Sequence, residues 1–165
     1  MNADGFEIRE ATLAEVEAHH DALRPADPQL PTRNLAVTAF LALDTIGFGD
    51  SDAFGVKAAN LATLRTFNLG ADAVPDGYAL PFCFYDEFMK FNGFYDDLTA
   101  MLADADFQSN VQTREEMLKD FRKEIKVGLM PPWMVNELTN LQFSFPVGTP
   151  IRCRSSTNNE DLPGF

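Results

Sequence analysis

Ile151-Arg152-Cys153-Arg154-Ser155-Ser156-Thr157-Asn158-Asn159-Glu160-Asp161-Leu162-Pro163-Gly164 reads as a short β-type run, Ile151 to Arg154, and a polar loop closed by Leu-Pro-Gly. Residues two apart on a strand share a face, so the run predicts that Arg152 and Arg154 point the same way. A guanidinium donates parallel hydrogen bonds from a planar fork and keeps its charge, which suits it to phosphate. The plain alternative is an ion pair with Glu160 or Asp161. Phe165 follows the loop directly, which gives the expectation that the sequence is part of a longer protein.

Upstream, Leu35 to Ile46 is apolar and includes β-branched Val37, Thr38 and Thr45, which predicts one or two strands. Gly47, Gly49, Asp50, Ser51 and Asp52 read as a loop. A helix is then expected from Gly55 to Phe67, with Phe54, Ala58, Leu61 and Leu64 on one apolar face and Gly70 at its end. Val74-Pro75-Asp76-Gly77 is a turn signature, and a strand leaves it through Tyr78 to Pro81. Short helices follow over Cys83 to Phe91, stopped by Asn92-Gly93, and over Tyr95 to Leu102.

Thr113-Arg114-Glu115-Glu116 reads as a capping box. The helix after it places Met117, Phe121 and Ile125 at i, i+4 and i+8 and ends at Gly128. Pro131-Pro132 opens one more helix through Trp133, Val135, Leu138 and Leu141. Pro146 to Pro150 turns into the terminal strand. Strand, helix, strand, several helices and strand predict an α+β domain.

The first 34 residues stand apart. Thr12-Leu13-Ala14-Glu15 is a capping box, so a helix is expected from Leu13 to Leu23, stopped at Pro25. Pro25, Pro28 and Pro31 make a stiff connector. His19 and His20 are adjacent on that helix, about 100° apart, and form a poor chelate. The expected organisation is a helix with a proline-rich connector over 1–34 and the main domain over 35–165.

The chain of 165 residues has 25 acidic and 13 basic side chains, for a formal charge of −12. Such a surface repels nucleic acid and anionic membranes, so neither is an expected partner. No apolar run is long enough to span a bilayer, and the acidic N-terminus lacks the apolar core of a secretory signal. A cytoplasmic location is expected. Cys83 and Cys153 read as buried free thiols, with a disulfide as the alternative, and most of the 15 phenylalanines as core.

Lys57, in the first turn of the helix after Gly55, is the second chemistry-bearing feature. A helix N-terminus carries a partial positive charge and unpaired N–H groups, and an ammonium there adds to both. The plain alternative is a solvated lysine. The spacing is not that of a Walker A loop.

Gly55-Val56-Lys57-Ala58-Ala59-Asn60-Leu61, Val74-Pro75-Asp76-Gly77-Tyr78 and Arg154-Ser155-Ser156 through Glu160-Asp161-Leu162-Pro163-Gly164 occur in that order. Together they resemble the N-terminal ATP-binding domain of the phosphoenolpyruvate synthase and pyruvate phosphate dikinase family. The family pattern reads roughly GGKGANL, VPPGF and RSSATAEDLPGASFAGQ. The resemblance covers about Leu43 to Phe165.

It implies a partial ATP-grasp-like domain, mostly antiparallel sheet with flanking helices. It further implies an ATP-dependent phosphotransferase that phosphorylates a histidine on a separate domain, which then serves an acceptor domain. By the same resemblance Lys57, Arg154 and Ser155 bind ATP, with Arg154 also catalytic because it stabilises the transferring phosphoryl group. Mg²⁺ is implied as a cofactor. The family's magnesium-binding carboxylates lie beyond the matched motifs, so no metal ligand is assigned here, and Glu160 and Asp161 read as loop organisers.

Val56 and Ala58 stand where the family has glycines beside the lysine, and Thr157-Asn158-Asn159 where it often has Ala-Thr-Ala. A water dikinase, an antibiotic phosphotransferase and a non-catalytic nucleotide-binding or regulatory module therefore stay open as readings. A helical adaptor using its acidic faces leaves the order of the motifs unexplained. The fragment alone is expected to lack complete activity, and its uncovered apolar surface to favour a homo-oligomer.

Overall fold

The structure is a computed structural model that describes residues 8–23, 31–67, 69 and 73–158. Met1–Leu30 and Pro31–Phe165 form two compact units. The connector at Pro25 and Pro28, Gly70, and the stretch from Asn159 to Phe165 with Glu160 and Asp161 lie outside the described residues.

In the first unit, α1 (Leu13–Leu23) starts at its capping box. Glu15 N donates to Thr12 Oγ1 at 3.3 Å, and Thr12 N donates to Glu15 Oε2 at 2.9 Å. Arg9 binds the same carboxylate, with Nη1 to Oε2 at 2.9 Å. Arg9 first, then the Thr12 N–H and hydroxyl, hold the Glu15 carboxyl down to about 2. His19 and His20 are exposed on this helix.

The second unit overturns the expected architecture. Of the described residues 61% are helical and 3% are strand, in one two-stranded sheet, so the mostly antiparallel ATP-grasp-like fold is not what they build. The sheet pairs β1 (Leu41–Ala42) with β2 (Tyr78–Ala79), antiparallel, with Leu41 opposite Ala79 and Ala42 opposite Tyr78. A strand needs a partner of equal length, and here the pairing ends after two residues. The apolar run leaves the ladder at Leu43, where a 3-10 turn over Leu43–Thr45 buries Leu43 and Thr45 Oγ1 donates to Ala42 O at 2.7 Å. Ile151 to Arg154 is exposed and forms no strand. The argument that put Arg152 and Arg154 on one strand face therefore lapses.

Gly47 to Asp52, expected as a loop, holds a 3-10 turn at Phe48–Asp50 and then α2 (Ser51–Phe54). Gly55 breaks α2 from α3 (Val56–Arg65) with φ +85° and ψ 160°, a conformation open essentially to glycine. Core positions on α3 are Ala59 and Ala62, while Leu64 is exposed. The apolar face is thus rotated from the expected one, although Ala58 and Leu61 still flank the core. That core gathers Leu43, Ile46, Ala53, Phe54, Ala62 and Ala79. The end of α3 is clamped by Arg65, whose Nε and Nη2 reach Asp44 at 2.5 and 2.8 Å and whose Nη1 donates to Val74 O at 3.2 Å.

From Phe82 onward short helices follow one another: α4 (Phe82–Phe91), α5 (Phe94–Ala103), α6 (Ala105–Ser109), α7 (Val111–Val127) and α8 (Pro132–Phe143). Asn92 and Gly93 end α4 as expected, and Asn92 also bonds Leu129 in both directions, at 2.8 and 2.9 Å. The capping box expected at Thr113 is not the start of α7. Asn110 caps it three residues earlier, its Oδ1 accepting from Gln112 N at 2.9 Å and Thr113 N at 3.2 Å. Asparagine is the stronger cap, and it lets Val111 begin the helix.

Met117, Phe121 and Ile125 lie half-buried along α7, with Phe121 edge-on to Phe94. Gly128 ends the helix in a tight place, since a Cβ there would stand 2.8 Å from Phe88 Cζ. A second core joins Cys83 and Phe84 of α4 to Met134 of α8. Phe54, Phe84, Phe94 and Phe107 are buried, but Phe48, Phe67, Phe91 and Phe143 are exposed. Among the described residues no helix is long and apolar enough to cross a membrane.

Candidate functional site

The start of α3 determines the site. Gly55 has no side chain, so the helix lacks the hydroxyl or carboxamide that usually accepts from its first N–H groups. The C-terminal segment supplies both acceptors. Val56 N donates to Thr157 O at 2.8 Å, and Ala58 N donates to Ser156 Oγ at 3.1 Å, across 98 residues of sequence. Asn158 Nδ2 donates to Thr32 O at 2.7 Å and fixes the next residue of the strap. Absence of a Cβ at Gly55 is a requirement here, because one would stand 2.3 Å from Ser156 Oγ and 2.7 Å from its carbonyl carbon.

Docking the strap brings the basic residues together. Lys57, Arg152, Cys153, Arg154 and Ser155 line one open cleft of about 490 Å³. It is shallow and open to solvent, and all five of these residues are exposed. All three predicted site residues, Lys57, Arg154 and Ser155, are in this lining, and Arg152 joins them. The alternative of an ion pair from one arginine involved Glu160 or Asp161, which are not described. Among the described residues, no carboxylate is in ion-pair range of Arg152 or Arg154. Arg9 and Arg33, by contrast, each have one, and Arg65 has two.

Two expectations change. The helix N-terminus was to offer its N–H groups to a ligand, yet those of Val56 and Ala58 are engaged by the strap. Cationic side chains, not open backbone, are what the site presents. Cys153, expected to be buried, is exposed in the cleft, while Cys83 is buried and its thiol pushed up by desolvation and by Glu87 and Asp86.

Sequence reasoning missed Ser156 and Gly55 as the contacts that assemble the site. Gly55 carried a signal, being a glycine immediately before a helix that has no other cap. Among the described residues that line the cleft there is no carboxylate. Nor do the described residues hold any group of three or more His, Cys, Asp or Glu suited to a metal. Comparison with protein-family models, curated proteins and solved structures finds no match to this chain.

Proposed function

We propose that this cleft binds the phosphate chain of ATP and forms one wall of the nucleotide site of a dikinase-like phosphotransferase. The carrying observation is that Lys57, Arg152 and Arg154 line a single cleft on a chain with a formal charge of −12. A local cationic pocket is what an anionic substrate needs in such a field. The resemblance of the three collinear motifs to phosphoenolpyruvate synthase and pyruvate phosphate dikinase supports the same ligand.

In this reading Lys57 and Arg152 neutralise phosphate oxygens, and Ser155 donates its hydroxyl to one of them. Arg154 holds the γ-phosphoryl group as its bond to the β-phosphate oxygen lengthens. The work is electrostatic positioning. Mg²⁺ enters only with the nucleotide, as part of Mg-ATP. The histidine that accepts the phosphoryl group, and the final acceptor, belong to further domains, and the location is cytoplasmic.

A Mg-ATP titration by calorimetry tests the reading. Arg154→Ala and Lys57→Ala should each raise the Kd about ten-fold or more, the loss of one charge-assisted contact to phosphate. Unchanged affinity in both variants refutes it. Engagement of the Val56 and Ala58 N–H groups favours a second reading, a nucleotide-binding module without turnover. Mg-ATP binding with no transfer of radiolabelled γ-phosphate to histidine in the longer protein decides for the module.

A further inference from the structure

We infer that Gly55 and Ser156 are positioning residues: together they form a latch whose closure assembles the cationic cleft. The inference rests on the phosphate-binding reading for its ligand but not for its geometry. Ile151 to Thr157 has no regular structure of its own, so hydrogen bonds to other parts of the fold must fix Arg152 and Arg154. The nearest to those arginines are Ser156 Oγ to Ala58 N and Thr157 O to Val56 N, on either side of Lys57. One pair of bonds therefore finishes the helix and sets the arginines beside the lysine. Ser156 is half-buried and does not line the cleft, so it acts through its neighbours and not on the ligand. At Gly55 the left-handed backbone and the missing Cβ permit the approach, and any larger residue would displace Ser156.

Cys153 reports on closure without any nucleotide. It is exposed among Arg152, Arg154 and Lys57, whereas Cys83 is buried. The ratio of its rate with an anionic aryl disulfide to that with a neutral pyridyl disulfide measures the local positive field. Wild type should show a high ratio and slow hydrogen exchange at the Val56 and Ala58 amides. Ser156→Ala should speed exchange at Ala58 about five-fold, as loss of a helix cap does. It should also lower the rate ratio about three-fold or more as the lysine and arginines separate. Ser156→Thr, which keeps the hydroxyl, should restore both, and Gly55→Ala should lose both.

Lys57→Ala should lower the rate ratio with exchange unchanged, which separates field from latch. Wild-type exchange at Ala58 in Ser156→Ala overturns the latch, whatever the affinity for ATP. Faster exchange with an unchanged rate ratio overturns its role in assembling the cleft. A latch that passes these tests in a protein indifferent to Mg-ATP leaves the assembly standing and refutes the nucleotide reading alone.

Discussion

The region around α3 and the run from α4 to α8 are held together in different ways. Helix α7 is capped by Asn110, the residue just before it, and α4 is ended by Asn92 and Gly93 directly after it. Helix α3 is capped by Ser156, 98 residues away, and its core positions are two alanines. The helical run can specify its elements locally. The α3 region is complete only when the C-terminal segment returns to it, since the same segment caps the helix and carries the cleft arginines. Contacts between residues distant in sequence carry the larger chain-closure cost, and here that cost falls on the cap of α3.

The strongest way to break the comparison is through Asp86, which anchors the helical run. It is the buried charge among the described residues. Lys90 Nζ reaches it at 2.6 Å, Tyr95 OH donates at 2.9 Å, and Arg33 Nη2 stands at 3.6 Å. Desolvation pushes its pKa up, but the bonds from Lys90 and Tyr95 and the charges of Lys90 and Arg33 outweigh it and leave the group lowered. Asp86→Ala should cost about 3 kcal/mol in urea unfolding, the loss of the charge-assisted hydrogen bonds from Lys90 and Tyr95. A folded Asp86→Ala protein should keep the wild-type Cys153 rate ratio. Its altered ratio would mean that the two regions are not separately held. Since the folded pKa is depressed, the Asp86 contribution is present above the unfolded value of about 3.9 and is lost as pH falls through the folded pKa.

Gly55→Ala comes next. A residue with a Cβ at φ +85° costs about 2 kcal/mol, and the contact with Ser156 adds to the strain. Here the cleft should fail before the fold does: Mg-ATP affinity is lost while the far-UV circular dichroism of α4 to α8 persists. A wild-type cleft in this variant would remove the glycine from the account.

The two caps sharpen the contrast at equal size. Asn110→Ala and Ser156→Ala each delete one cap, worth about 1 kcal/mol. Removing Asn110 should speed amide exchange at Gln112 and Thr113 and leave Mg-ATP affinity alone. Removing Ser156 should weaken Mg-ATP with little change in helicity. If both variants behave alike in binding and in helicity, the distinction between local and returning caps has no consequence.

What could be read in the sequence divides along the same line. Helices α1, α3, α4, α5, α7 and α8 announce themselves by caps, by prolines at first positions and by apolar spacing, all within a turn or two of chain. Lys57, Arg154 and Ser155 were singled out by residue chemistry and motif order, and they do line one cleft. The strands were legible only in part: the expected ones at Leu35 to Ile46 and Tyr78 to Pro81 exist as the two-residue β1 and β2, and the terminal one does not form. Apolar β-branched runs such as Leu35 to Ile46 and Ile151 to Arg154 say nothing about whether a partner strand exists, and mostly none does. Ser156 was illegible for the same reason, because its partner is fixed by the return of the chain and not by spacing.

The smallest expected effect lies at the purely local extreme, in α1. At 11 residues this helix is too short to be stable by propensity alone, and none of its residues is buried. Its start therefore depends on the Thr12–Glu15 box and on Arg9. With its pKa held down to about 2, Glu15 stays ionised through the range where an ordinary glutamate, near 4.3, would protonate. The sign follows: the support is full above the unfolded value and is lost as pH falls from there to about 2. A carboxyl ¹³C titration of Glu15 should therefore show a midpoint near 2, and Arg9→Ala should move it upward towards the ordinary value. Neither change should alter exchange at Ala58 or the Cys153 rate ratio. An ordinary midpoint for Glu15 in the intact protein would show that even a cap written entirely in adjacent residues can fail to form, and local legibility would then be a weaker guide than the helices of the second unit imply.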